Sequence, residues 1–166
     1  MSQIKITYDD FILTLTAEDL AFVHDLHEYM SNNGCKASFE EKKTGLLGSY
    51  KHTKTKKSVI NLLLKKQGLI VRIYGENIGG YAEFLNALTP SMIGAINGAG
   101  ECKRLTSGGC SPKCTGYDFT IGNEHYQKCR YNCFEFLVTE ESREHIREFV
   151  QNELSERIRI SENKDV

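Results

Sequence analysis

Ser58-Val59-Ile60-Asn61-Leu62-Leu63-Leu64-Lys65-Lys66-Gln67-Gly68-Leu69-Ile70-Val71-Arg72-Ile73-Tyr74-Gly75-Glu76 reads as a β-hairpin turning about Gln67-Gly68. A two-residue turn there fixes the register. Counting outward pairs Leu64 with Val71 and Leu62 with Ile73 on one face, and Leu63 with Arg72 and Asn61 with Tyr74 on the other. The first face is pure core. The second mixes polar and apolar groups, so Asn61, Arg72 and Tyr74 become candidate ligand-binding residues: arginine offers a fork for an anion, and tyrosine an aromatic wall with a polar tip.

Toward the N-terminus, Ala37 to Tyr50 reads as one further strand interrupted by Gly45 and Gly48, and the lysine-rich stretch from His52 to Lys57 as a turn. Before it, residues 16 to 33 carry Leu20, Val23, Leu26 and Met30 at helical spacing, with Thr16 and Asp19 as a cap at the start and Gly34 as a stop. His24 and His27 fall on this helix as boundary residues, and Cys35 after it as a small buried filler.

Toward the C-terminus, Tyr81, Phe84, Leu85 and Leu88 form a short apolar stripe, and Thr89-Pro90 starts a helix that ends at Gly98. Tyr117 to Ile121 reads as a strand, Gly122-Asn123 as its turn and Tyr126 to Val138 as the returning arm. Thr139 caps a last helix with Ile146, Phe149, Val150 and Leu154 as its buried stripe, and residues 161–166 are expected to fray. The fold class is therefore α+β: an antiparallel sheet with helices packed on one face, in a single domain over residues 1–160 that includes a cysteine-rich hairpin at 101–138.

The chain has 166 residues, is 40% hydrophobic and holds six cysteines. Five of these, Cys102, Cys110, Cys114, Cys129 and Cys133, fall within 32 residues, and four form two Cys-x-x-x-Cys pairs. Two thiolate pairs that meet across a hairpin suit a closed tetrahedral zinc site, with an iron–sulfur cluster as the alternative. The expected ligands are Cys110, Cys114, Cys129 and Cys133, with Cys102 and His125 in reserve. Residues four apart in a straight strand are about 13 Å apart, so Arg130-Tyr131-Asn132 must bend if Cys129 and Cys133 share an ion.

The start of the chain lacks a signal-peptide profile and no apolar run spans a bilayer, so a cytoplasmic protein with no membrane partner is expected, in which clustered cysteines are metal ligands or redox thiols. Residues 36 to 72 carry nine lysines and Arg72 against Glu40 and Glu41, yet the overall isoelectric point is near 6.5. Nucleic acid therefore ranks below a small molecule or a protein as partner. A binding or regulatory role ranks above an enzyme. The alternative is a thiol enzyme or redox sensor in which Cys102 or Cys129 reacts, activated by Lys103, Arg104, Lys128 or Arg130.

Gly68 to Gly75, Gly116 to Ile121 and His125 to Cys133 resemble an uncharacterised family of small cytosolic bacterial proteins, a resemblance that implies no activity. The order helix, strands, helices, hairpin, helix is similar to the small α+β folds of TATA-box-binding-protein-like architecture, which include bacterial proteins described as candidate iron chaperones. That likeness implies a fold and carries no site residues.

Overall fold

The computed structural model describes residues 3–111 and 113–164. The expected α+β architecture is present: a six-stranded antiparallel sheet, a separate two-stranded hairpin and helices that share the sheet's core. The large sheet is a meander in which β1 (Ile4–Ile6), β2 (Cys35–Lys42), β3 (Gly45–His52), β4 (Lys57–Lys65) and β5 (Gly68–Ile73) lie side by side, and β8 (Glu135–Leu137) closes the far edge. The stretch read as one strand is thus two. Gly45 at φ +141° turns the chain back, and its missing Cβ leaves room for the Leu64 carbonyl.

The β4–β5 register differs by two residues from the sequence reading. Asn61 faces Arg72, Leu62 faces Val71 and Leu63 faces Ile70, because the turn is Lys66-Gln67 and Gly68, at φ +125°, already opens β5. A slip of two keeps every side chain on its face. Ile60, Leu62, Val71 and Ile73 are all fully buried in the core.

Helix α1 (Tyr8–Ile12) starts on a Thr7–Asp10 capping box. In α2 (Ala17–Asn32), the Thr16 hydroxyl accepts from the Asp19 N–H at 3.2 Å. Two 3-10 turns, Ile78–Gly80 and Ala82–Ala87, replace the first expected apolar stripe, and α3 (Pro90–Gly98) begins on Thr89 with proline in its first turn. After the one-turn α4 (Lys103–Thr106) come the hairpin strands β6 (Tyr117–Ile121) and β7 (Glu124–Lys128).

The returning arm does not run on to Val138. It stops at Lys128, turns through residues 130 to 134 and joins the large sheet beside β5 as β8. Phe134 then packs at 4.8 Å from Tyr117, 5.4 Å from Phe119 and 4.9 Å from Phe149, joining the hairpin and the last helix in one aromatic cluster. Helix α5 (Arg143–Lys164) buries Ile146, Phe149, Val150 and Leu154 as expected, and runs four residues past the point where fraying was expected. Thr139 closes the preceding turn, its hydroxyl accepting from the Ser142 N–H at 3.1 Å.

Candidate metal centre

Strand β7 is paired on both sides at its C-terminal end. β6 lies on one side; on the other an isolated bridge joins Glu101 to Lys128, with Cys102 N–H donating to Gln127 O and Cys129 N–H donating to Gly100 O, each at 2.9 Å. Alternation along antiparallel backbones sends Glu101 and Lys128 to one face, and Cys102 and Cys129 to the other. Lys128, only 4% exposed, donates to Asn97 O, Ala99 O and the Glu101 carboxylate, capping the end of α3.

The thiol face is shaped by Gly116. The β6–β7 pairing ends at Tyr117–Lys128, directly after Gly116. A Cβ on Gly116 would lie 2.2 Å from Cys102 Sγ, so the Cys102 thiol occupies the space this glycine leaves.

The other pair returns through α4. Thr106 donates its hydroxyl to Cys102 O at 2.9 Å, Gly108 at φ +73° reverses the chain, and Gly109 N–H donates back to Lys103 O at 3.2 Å. Cys110 and Cys114 then flank a turn closed by Cys114 N–H on Ser111 O at 3.0 Å. The Cys114 thiol is within electrostatic reach of Cys110 and Cys102. Desolvation and these neighbouring thiols raise the Cys114 pKa, against a smaller lowering by Arg130.

Arg130-Tyr131-Asn132 bends as a shared ion would require, with Cys133 N–H on Cys129 O at 3.0 Å. Cys133 nevertheless points into the core, fully buried, and burial pushes its thiol pKa well up. Because the chain leaves the small hairpin here to enter the large sheet, Cys133 follows Phe134 inward, while its thiol stays within electrostatic reach of Cys129, Lys128 and Glu101. Cys102, the reserve ligand, is the cysteine that shares Cys129's face. His125, the other reserve, lies toward the far end of β7, its Nε2 at 2.6 Å from Asp118 Oδ1. Hydrogen bonds from His125 and Gln127 hold the Asp118 carboxyl below its usual range.

All six cysteines are free thiols. Among the described residues, no group of three or more His, Cys, Asp or Glu side chains is arranged to hold a metal ion. The donor chemistry of Cys102, Cys110, Cys114 and Cys129 fits zinc; their present spacing is not a closed coordination sphere.

Asn61, Arg72 and Tyr74 come together on the sheet face opposite the helices, engaged with protein groups. Arg72 grips Glu135 through Nε and NH2, both at 2.9 Å, and Asn61 Nδ2 donates to the Tyr74 hydroxyl at 3.0 Å. Tyr74 is only 6% exposed, with the Arg130 guanidinium 5.7 Å from its ring centroid and Tyr131 edge-on to it. Arg130 reaches onward to Glu76 and, at 3.2 Å, to Thr115, tying the Cys129–Cys133 turn to the loop that carries Cys114. The sequence reading did not foresee Arg130 or Gly116 in this arrangement, because each acts on a segment distant in sequence.

The chain was compared with protein-family models, with curated proteins and with solved structures, and none of the three comparisons finds a match. No helix among the described residues is long and apolar enough to cross a membrane.

Proposed function

We propose that Cys102, Cys110, Cys114 and Cys129 bind one zinc ion that locks the 101–116 segment onto the small hairpin, as a structural element of a domain that binds a small molecule or a protein. The observation that carries this reading is the Cys114 thiol within electrostatic reach of Cys110 and Cys102, with Cys102 and Cys129 on one side of the Glu101–Lys128 bridge. Cys110 is exposed and follows the short α4. Four thiolates make a closed site suited to holding structure.

Burial raises the thiol pKa at Cys35 to about 11 and also raises it at Cys133, and desolvation raises it at Cys114. An activated nucleophile needs the opposite shift, which argues against Cys35, Cys114 and Cys133 in that role. A second reading rests on the Cys110–Cys114 contact: two adjacent thiols can give up two electrons and two protons to an oxidant and form a disulfide, making a redox couple.

Elemental analysis of protein purified without added metal separates the readings. About one zinc per chain is expected, lost in Cys102→Ser and retained in Cys133→Ser. Iron with sulfide would support a cluster instead. Neither metal, together with a Cys110–Cys114 disulfide found by mass spectrometry, would replace the zinc reading with the redox one.

A further inference from the structure

Between the β3–β4 turn and the last two turns of α5 lies a pocket of about 460 Å³, within the size range of small-molecule sites. Arg157 is among its lining residues, its side chain only 2% exposed and its guanidinium fixed by hydrogen bonds to Glu153 and to the carbonyls of Lys57, Ser58 and Tyr74. Lys54, Lys57 and Lys164 also line the pocket, and among the described lining residues Glu76 supplies the one carboxylate. That carboxylate is itself held by Arg130, and stands 3.9 Å from Lys57.

The remaining wall is mixed. Asn77 is anchored by donating to Glu153 through both its backbone N–H and its side-chain Nδ2, which leaves its side-chain oxygen as an acceptor. Ile160 supplies an apolar surface, and Thr55 and Ser161 supply hydroxyls. The negative end of the α5 dipole lies here and opposes an anion, so the attraction depends on the lysines.

We infer that this pocket binds a small phosphorylated molecule, its phosphate against Lys57 and Lys164 and its hydroxylated body against Asn77 and Ile160. Lysines act as point charges suited to a phosphate dianion, and a polar pocket with one fixed guanidinium in its lining gives such a ligand a single orientation. The inference does not depend on the thiol site.

The test is calorimetric titration of the full chain with inorganic pyrophosphate. Saturable binding at one site per chain is expected, weakened about tenfold or more in the double variant Lys57→Ala/Lys164→Ala. The control is Lys36→Ala/Lys51→Ala, which removes the same charge from a cross-strand pair of β2 and β3 outside the pocket and should bind as the parent does. Absence of saturable binding, equal weakening in the two double variants, or binding of a short RNA without binding of pyrophosphate would each overturn the inference. Circular dichroism of each variant establishes that the fold is retained.

Discussion

Arg157 and Glu153, one turn apart on α5, form an ion pair with Nε 2.7 Å from Oε2 while both side chains are sealed from solvent. Glu153 also accepts from the Tyr81 hydroxyl at 2.7 Å and from Asn77, and Arg157 binds backbone carbonyls of residues 57, 58 and 74. The pair thus pins the 3-10 region and the β4 and β5 strands to one helix.

Removing one partner leaves the other charged and buried. Glu153→Ala should cost about 3–5 kcal/mol in urea unfolding. Replacing both by apolar residues of similar volume, as in Glu153→Leu/Arg157→Met, should recover much of that loss. A Glu153→Ala loss below about 1 kcal/mol would mean that the pair is not the tether inferred here.

Gly116→Ala should destabilise the protein by about 1–3 kcal/mol, since its Cβ would overlap Cys102 Sγ and lie 2.7 Å from Cys102 Cβ. Gly94→Ala is the contrast: a Cβ there meets nothing within 4 Å, and the position is inside α3. It should stabilise by up to about 1 kcal/mol. Thermal unfolding of the two variants checks both signs.

Cys133→Ser puts a hydroxyl into the aromatic core and should cost about 1–3 kcal/mol with or without metal. Cys110 is exposed, so in metal-depleted protein Cys110→Ser should stay within about 0.5 kcal/mol of the parent. Equal losses in metal-depleted protein would place the two thiols in similar surroundings, against the structure.

Stability should fall between about pH 7 and pH 5. Burial, and then the neighbouring His24, lowers the pKa of His27, which stacks on Tyr8 and bonds to the Tyr50 hydroxyl at 2.7 Å. Burial, and then the charges of Arg157 and Lys54, lowers that of His52. A lowered folded-state pKa means that the unfolded chain takes up the proton first as pH falls through about 6.5, so stability is full above that value and declines below it. The depressed carboxyls of Asp10 and Asp118 act only at lower pH, as pH falls through their folded values. Urea midpoints across this range should show the decline, and His27→Gln should flatten it; an unchanged slope would exclude His27 as a source.

Local rules made much of this fold readable. A strand's period of two assigned Leu62, Val71 and Ile73 to the core even though the β4–β5 register differs by two residues, because an even slip preserves faces. Hydroxyl caps at Thr16 and Thr89 marked two helix starts because a cap bonds within its own first turn. The clustering of five cysteines identified the region of the candidate site, while the placement of each thiol around it depends on the tertiary structure. The spacing of Cys129 and Cys133 suggested a pair; β8 joins the large sheet, which buries Cys133 in the core with Cys129 still in electrostatic reach, and the Glu101–Lys128 bridge brings the Cys102 segment to the same hairpin. The Glu153–Arg157 pair was equally illegible, since a charged i, i+4 pair on an amphipathic helix reads as a solvated face until the strands and 3-10 turns that bury it are in place. Periodicity and caps are short-range properties of the chain; the side of a strand that meets another segment, and the charges that become sealed, depend on contacts between residues far apart in sequence.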